Sequence, residues 1–320
     1  MVMRARVRVP GTCGELVQGT LAGVNFHVTC PISFFAELSV EINKDDPEII
    51  YPQGFEKAAG AVAATMKLLG LDTWGAVVEV YQTLPGGKGM ASSTADITAA
   101  CYAAALAAGR TLQPGQVAGI ALAIEPSDGI MYPGIRLFDH LRGLINEDLG
   151  HVQGLGVLMI DPGGGVDTLT FNAREDLAEA NKAKEKLTGE ALKLVREGLH
   201  KGNLALIGRG ATLSSRANQR ILPKKELFQL EEMVESLGLL GINVAHSGTV
   251  MGLLFEMEQV DGVQLEEEVR HQLGSGFNYY LTTVTGGGPR VVEISKGEKP
   301  WKKSNMSTGA ILEPPLRSLG

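Results

Sequence analysis

The chain has 320 residues, of which 44% are hydrophobic and 20% are charged, so it is long enough for about two domains with a large buried core. Its formal net charge of -7 argues against a nucleic-acid surface as its main function, because phosphate backbones are bound by clustered lysine and arginine. A small ligand is therefore expected.

The N-terminal residues lack the pattern of a signal peptide. Residues 1–9 alternate arginine with apolar residues, which predicts an amphipathic strand and leaves no continuous apolar block. The sequence has no run of about 18 apolar residues of the kind that crosses a membrane. Cys13, Cys30 and Cys101 are too widely spaced for a disulfide framework or a CxxC metal site. We therefore expect a cytoplasmic protein in a reducing compartment.

The next elements alternate turn, strand and helix. Residues 10–19 are rich in glycine and short polar side chains, which predicts a turn-rich stretch that lines a pocket. Residues 25–40 have strand character, although Pro31 limits pairing in a central position. Residues 55–69 have helical spacing, and Gly70 is expected to end that helix.

The stretch from residue 84 to residue 109 predicts a glycine loop between a strand and a helix. Residues 76–81 are β-branched and aromatic, and the residues after Ser92 are mostly alanine. The glycines of residues 86–89 allow a close approach of backbone to a ligand, and Ser92, Ser93 and Thr94 occupy positions typical of helix N-caps. A helix N-terminus attracts phosphate, and Lys88 adds a full positive charge.

Two common glycine motifs do not fit this loop. A Walker A loop requires lysine and then serine or threonine after its last glycine, but Met90 follows Gly89. The other near match, from Gly14 to Gly19, is followed by Thr20. A match to GxGxxG lacks the last glycine. An ordinary loop before a buried helix remains an alternative.

Two carboxylates follow the next predicted helix. Residues 114–124 form a short apolar helix with proline in its first turn, and Glu125 and Asp128 come directly after it. Such a pair usually belongs to a solvated loop, but the apolar residues 120–124 just before it pull the loop inward, where carboxylates need a cation or hydrogen-bond donors. A solvated loop and a buried functional pair are therefore equal alternatives here. Residues 135–149 predict a hairpin, in which we interpret His140 as structural or surface-exposed rather than catalytic.

The pattern restarts near Gly150, which we predict as a domain boundary. The predicted domains are residues 1–150 and residues 151–295, and residues 296–320 are expected to form an extended or mobile tail. A second glycine-bearing turn is predicted for residues 241–252. The other predicted elements of this half are strands at 156–160, 253–257, 280–284 and 290–294 and helices at 176–199, 203–215, 225–237 and 259–273.

Three separated stretches match one family in order and spacing. Residues 10–19 resemble the first motif of the GHMP kinases, the superfamily of galacto-, homoserine, mevalonate and phosphomevalonate kinases. Residues 85–94 resemble its phosphate loop, Pro-x-x-x-Gly-Leu-x-Ser-Ser-Ala, and residues 245–252 resemble its third motif. The resemblance implies an α+β fold with two domains. These are an N-terminal domain like ribosomal protein S5 domain 2 and a ferredoxin-like C-terminal domain, with the active site between them.

The resemblance also implies cofactors and residue roles. It implies ATP as the phosphoryl donor and Mg²⁺ bound by Ser93 and Glu125, which agrees with the oxygen ligands that Mg²⁺ prefers. Asp128 matches the aspartate that accepts the proton of the acceptor hydroxyl in several members. The residues implied in nucleotide binding are Pro85, Gly86, Gly87, Lys88, Gly89, Met90, Ala91, Ser92, Ser93 and Thr94.

The first motif departs from the family pattern at one position. Many members that have the aspartate also have a lysine after Pro-Gly, and this chain has Thr12 there. Either Lys88 supplies the missing charge as a catalytic residue, or catalysis relies mainly on positioning and electrostatic stabilisation.

The acceptor side is expected to hold a small molecule with charged ends. Asp96 lies one helical turn beyond Ser93, where it holds an ammonium group or, as an equal alternative, pairs locally near the helix start. Glu15 or Gln18 of the first motif is expected to hold the other end of the small molecule. The predicted substrate-binding residues are Thr12, Glu15, Gln18, Asp96, Ser247, Gly248 and Thr249.

Within the family, residues 10–19 and 88–96 are most similar to kinases that phosphorylate the side-chain hydroxyl of free L-threonine in cobalamin synthesis. The resemblance therefore implies an ATP-dependent transferase that produces O-phospho-L-threonine. Two alternatives remain open. One is the same chemistry on another small alcohol such as homoserine, and the other is a non-catalytic sensor that binds ATP and a small ligand.

Overall fold

The computed structural model describes residues 3–296, which form a mixed α and β structure. The strands are β1 Met3–Leu21, β2 Val24–Asn43, β3 Ile49–Ile50, β4 Gly75–Gln82, β5 Arg136–Phe138, β6 Asn146–Asp148, β7 Leu155–Asp161, β8 Gly241–Val244, β9 Met251–Glu256, β10 Asn278–Thr283 and β11 Arg290–Lys296. The helices are α1 Glu56–Leu68, α2 Ser92–Ala107, α3 Pro114–Ile124, α4 Thr168–Asn172, α5 Leu177–Lys201, α6 Leu204–Asn218, α7 Leu227–Ser236 and α8 Gly262–Leu273, with a 3₁₀ turn at Gly129–Met131.

The strands form one connected sheet. Its main order is β10-β7-β9-β8-β1-β2-β4-β3, with β11 beside β1 and the hairpin β5–β6 attached to β2. The β3–β4 pair is parallel, and the other named strand pairs are antiparallel. Strands β8 and β1 are joined by a single register pair, Glu15 with Val244. The predicted boundary near Gly150 falls between β6 and β7, but β8 and β11 pair with β1 across it, so the division into two domains remains a prediction.

Strand β1 corrects the prediction of a turn-rich stretch at residues 10–19. The strand continues through these residues, and its register against β2 shifts between Pro10 and Thr12, between Thr12 and Glu15, and between Glu15 and Val17. Irregular positions of this kind absorb extra residues without ending a strand. The glycines and the proline therefore mark irregular pairing, and the polar residues of the motif lie in the middle of the sheet.

The core lies between the sheet and the helices that cover it. The alanine-rich α2 is buried over most of its length and packs on β1, β2 and α1, because small side chains let a helix approach a sheet closely. Helices α5 and α6 pack on β1, and α6 also packs on β8. A second cluster of buried side chains includes Leu230 and Met233 of α7 and Leu265 and Val269 of α8.

Two sequence expectations concern membranes and the tail. Within residues 3–296, no helix is long and apolar enough to cross a membrane. The predicted tail of residues 296–320 lies outside the described residues, apart from Lys296 at the end of β11.

Candidate active site

A cavity of about 480 Å³ lies where the glycine loop, α1, α2 and the strand β1 meet. It is lined by predicted residues from all three motifs and by the two carboxylates that follow α3: Glu15, Gly86, Gly87, Gly89, Met90, Ala91, Ser92, Ser93, Thr94, Glu125, Asp128 and Ser247. Side chains that were not predicted as site residues also line it, among them His27, Lys57, His140, Asp167, Asn172 and His246. The cavity therefore joins residues that are up to 232 positions apart in the sequence, from Glu15 to Ser247.

Hydrogen bonds from the first motif hold the glycine loop on one side. The Thr12 amide donates to the Met90 carbonyl and the Gly14 amide donates to the Gly89 carbonyl, both at 3.0 Å. The Thr12 hydroxyl also donates to Gly89, at 3.2 Å. Thr12 is fully buried and does not line the cavity, so in this structure it holds the loop rather than facing a ligand.

The third motif fastens the same loop from the other side. The amides of Thr249 and Val250 both donate to the Lys88 carbonyl at 3.0 Å. A Cβ atom at Gly248 would lie 2.2 Å from the Gly89 nitrogen and from the Lys88 carbonyl carbon, so only glycine fits there without moving the backbone. The loop is thus clamped between two segments that the sheet brings together.

The start of α2 corrects the prediction that Ser92, Ser93 and Thr94 act as N-caps. The N-cap residue is Ala91, with φ of 53°, and no side chain caps the helix. The three hydroxyl residues lie within the first helical turn. A non-glycine residue in the left-handed region is strained, and such strain is concentrated at functional sites. Because no side chain satisfies the first-turn amides, this helix end suits an anionic ligand.

Glu125 and Asp96 form an acidic pair next to Ser93. Glu125 is buried and its carboxylate is ion-paired with Lys57. Asp96 is partly buried, does not line the cavity, and forms no hydrogen bond or ion pair with any described residue. Burial first, and then the charge of Glu125, raise the pKa of Asp96 to about 7. Lys57 pairs with Glu125 alone, and Asp96 has no cationic partner among the residues that the structure describes.

Another part of the cavity contains a second pair of carboxylates around one histidine. The His27 ring donates from Nδ1 to Asp128 Oδ1 at 3.0 Å, and Glu15 Oε1 lies 3.8 Å from the same nitrogen. Glu15 Oε2 also accepts from the His246 amide at 2.7 Å. Burial, and then the charge of Asp128, raise the pKa of Glu15 well above its ordinary value.

Three buried histidines lie together beside these carboxylates. The rings of His27 and His140 are stacked, with centroids 3.7 Å apart, and the His246 ring is 4.5 Å from that of His27. Burial first, and then neighbouring histidines, lower the pKa values of His140 and His246 well below the usual range, so both rings are neutral at pH 7. His140 is therefore neither surface-exposed nor remote from the site.

The histidine cluster does not suit a single metal ion as it is arranged. A metal binds in the plane of an imidazole ring, along the lone pair of one nitrogen. The stacked rings of His27 and His140 are parallel within 10°, so their lone pairs do not converge on one point. His246 is instead fixed by Gln18, whose Oε1 accepts from its Nδ1 at 2.9 Å.

Several predicted site residues lie behind the cavity. Lys88 Nζ is 2.8 Å from Asp161 Oδ2, and the Thr249 hydroxyl donates to Asp161 Oδ1 at 3.0 Å. Gln18 Nε2 donates to the Val244 carbonyl at 3.0 Å. The predicted residues that do not line the cavity are Thr12, Gln18, Pro85, Lys88, Asp96, Gly248 and Thr249.

Sequence reasoning did not find the three histidines or Lys57 as site residues. His27, His140 and His246 are separated by more than 100 residues each, so no spacing connected them. Lys57 is the second residue of α1 and resembles any solvated lysine on a helix. The signal that was available was the position of His246 inside the third motif.

Comparisons with known proteins agree with the motif pattern. A family model for the GHMP kinases N terminal domain matches residues 55–133. The chain is 30% identical over 287 residues to the L-threonine kinase of Salmonella typhimurium, and the alignment covers 88% of this chain and 94% of that protein. It is also 30% identical over 263 residues to the L-threonine kinase of Citrobacter freundii, covering 80% of this chain and 88% of that protein.

A solved structure gives the same answer for the fold. The homoserine kinase from Cytophaga hutchinsonii superposes with a TM-score of 0.69 and 18% sequence identity, covering 90% of this chain and 97% of that chain. This likeness confirms the predicted α+β fold of the GHMP type. Together with the identity to two L-threonine kinases over most of their length, it means that the chain belongs to the GHMP kinase family.

Proposed function

We propose that this chain transfers the γ-phosphoryl group of ATP to the side-chain hydroxyl of free L-threonine, giving O-phospho-L-threonine and ADP. The observation that carries the proposal is the identity to two L-threonine kinases along 88% and 80% of this chain. The cavity supports it, because one side suits a nucleotide phosphate and the other side suits a small amine.

The nucleotide side consists of the glycine loop and the first turn of α2. The uncapped amides of that turn would bind phosphate oxygens, and the clamped loop would hold them in place without a large rearrangement. Such positioning is the main protein contribution to phosphoryl transfer.

The residues present fit Mg²⁺. Ser93 and Glu125 line the cavity with oxygen atoms, and Asp96 adds an unpaired carboxylate beside Glu125. Mg²⁺ is usually held by one or two carboxylates together with substrate phosphates and water. When bound, the ion would neutralise charge on the transferred phosphoryl group. We therefore propose Ser93 and Glu125 as its ligands, with Asp96 supporting them electrostatically.

Asp128 is the proposed acceptor of the hydroxyl proton. Its side chain is 17% exposed to the cavity side, and His27 donates to one of its oxygens. This hydrogen bond fixes the carboxylate and leaves its second oxygen for the substrate. A carboxylate held in this way would accept the proton as the bond to phosphorus forms.

The acceptor side is rich in hydrogen-bond acceptors, which favours a substrate with an ammonium group. Glu15 and Asp128 present carboxylate oxygens there. The neutral His246 donates from Nδ1 to Gln18, so its Nε2 carries a lone pair. We propose that Glu15 binds the ammonium group and that Ser247 contacts the bound substrate. Four predicted residues that do not line the cavity would then position the residues that do: Gln18, Thr12, Gly248 and Thr249.

The experiment is an ADP-release assay with L-threonine, L-serine, L-homoserine and an amino-free hydroxy acid. We expect L-threonine to be the best acceptor and L-serine to be moderately slower, because one missing methyl group is worth only about 1–3 kcal/mol. The amino-free acid should be much slower, since it leaves buried carboxylates unpaired. A higher rate for homoserine would overturn the threonine assignment, and ATP binding without turnover on any acceptor would favour a sensor.

A further inference from the structure

The charge balance of the cavity depends on one lysine. Four carboxylates line it, from Glu15, Glu125, Asp128 and Asp167. Among the residues that the structure describes, Lys57 is the only lysine or arginine that lines it. A nucleotide triphosphate would bring several more negative charges into this acidic space, so a cation beside the phosphates has a large electrostatic effect there.

The Lys57–Glu125 ion pair is asymmetric. The Glu125 side chain is 5% exposed, whereas the Lys57 side chain is 49% exposed. Glu125 directly follows α3 and its amide is bonded to the Ala121 carbonyl, so its place is fixed. Lys57 is in the first turn of α1 and reaches Glu125 with a flexible four-carbon chain. Lys57 is thus the partner that is able to move.

The Glu125 carboxylate cannot bind both the Lys57 ammonium group and Mg²⁺ with full strength at the same time. We propose that Lys57 is a nucleotide-phosphate ligand that pairs with Glu125 before the nucleotide binds and moves to the phosphate oxygens when Mg²⁺ binds Glu125. This role rests on the proposed kinase function, and it gives the cavity a positive charge that Lys88 does not supply, since Lys88 is paired with Asp161.

Lys57 does not change its own bonds in the reaction. The bond between the γ-phosphorus and the β–γ bridging oxygen breaks, and a bond from the acceptor hydroxyl oxygen to the γ-phosphorus forms. The hydroxyl proton leaves to Asp128. Lys57 keeps its proton and neutralises negative charge on the phosphate oxygens, including charge that develops on the departing ADP.

The proposal predicts two effects of opposite sign. Removing the Lys57 charge should weaken the binding of a nucleotide triphosphate, because a charged contact to phosphate is lost. It should also strengthen the binding of a free divalent cation, because Glu125 loses its competing partner. A lysine that only supports the fold would not separate these two affinities in this way.

The test uses the Lys57→Met variant and two binding measurements. Calorimetry with Mg²⁺ and the non-hydrolysable analogue AMPPCP should show a Kd about 10- to 100-fold higher than that of the parent chain. Electron paramagnetic resonance with free Mn²⁺, in the absence of nucleotide, should show a Kd about two- to fivefold lower. Lys57→Gln is measured in parallel, so that the result does not depend on the folding of one variant.

Two controls accompany these variants. Lys57→Arg keeps the charge and should bind the analogue within about threefold of the parent chain. Lys67→Met changes an exposed lysine at the far end of the same helix and should match the parent chain in both measurements. Unchanged affinity of Lys57→Met and Lys57→Gln for the analogue, or weaker binding of Mn²⁺, would overturn the proposal.

The binding data also separate this proposal from the proposed function. If the parent chain binds the analogue but phosphorylates none of the acceptors, the threonine kinase assignment fails and the two affinities still decide the role of Lys57. If the parent chain phosphorylates L-threonine and the neutral variants bind the analogue normally, only the role of Lys57 fails. A parent chain that binds no nucleotide overturns both.

Discussion

The Asp96→Asn variant should be more stable than the parent chain at pH 8 when no ligand is bound, even though Asp96 belongs to the proposed active site. Burial first, and Glu125 second, raise the pKa of Asp96 to about 7, whereas an aspartate in an unfolded chain has a pKa of about 4. The folded state therefore disfavours the ionised carboxylate. This penalty is absent below about pH 4, grows as the pH rises, and is complete above about pH 7.

The size of the effect follows from the two pKa values. A tenfold change in an ionisation constant corresponds to about 1.4 kcal/mol, so the difference is worth at most about 4 kcal/mol at pH 8. Asp96 is only partly buried, and solvent screening reduces this to about 2 kcal/mol. Asparagine has nearly the same shape and carries no charge, so the variant removes the penalty and little else.

Urea unfolding followed by circular dichroism at pH 5 and pH 8 would measure the gain. At pH 5 most of the penalty is still absent, so the gain should be less than half of that at pH 8. Mg²⁺ with ADP should reduce the gain, because a bound cation relieves the penalty in the parent chain alone. Asp72→Asn, at an exposed position, serves as the control. An equal gain at both pH values, or a loss at pH 8, would refute the reasoning.

Three further variants test the other parts of the site. Glu125→Gln should fold but lose about 10- to 100-fold or more in turnover at limiting Mg²⁺, since mutation of residues that only support metal ligands already has effects of this size. Activity equal to that of the parent chain would show that Glu125 is not a metal ligand. Asp128→Asn keeps an acceptor for His27 and should lower the maximal rate by about 10²- to 10⁴-fold with little change in nucleotide affinity, whereas a loss below about tenfold would assign it a positioning role. Gly248→Ala places a Cβ atom 2.2 Å from the backbone of the glycine loop, so it should lower the free energy of unfolding by about 1–3 kcal/mol and weaken ADP binding. The control Gly60→Ala, in open space on α1, should neither destabilise the fold nor weaken ADP binding.

The regular elements were predictable because their periodicity is local. The helices at 55–69 and 114–124 agree with α1 and α3 within a residue or two, and the predicted hairpin at 135–149 contains β5 and β6. The errors occur where pairing overrides local preference. Residues 10–19 carry turn residues but form a strand because β2 and β8 supply partners, and β8 was hidden inside a predicted glycine turn.

The site was predictable to the extent that a motif carried it. The three motifs meet as their glycines and hydroxyl residues suggested, although Ala91 rather than a serine precedes α2. Whether a side chain in a motif faces the cavity was not predictable, since Thr12 and Lys88 turn to backbone and to Asp161 instead. Such orientations depend on partners from distant strands, which a single stretch of sequence does not contain.

The pair between Glu15 and Val244 has a consequence for protein synthesis. Glu15 lies on β1, but its sheet partner and the His246 amide that binds its carboxylate are synthesised about 230 residues later. A nascent chain therefore contains its glycine loop and α2 long before it contains the C-terminal residues that line the same cavity. Until β8 and the third motif emerge, Glu15 lacks these two partners, and an unfinished chain lacks residues that complete the lining of the cavity.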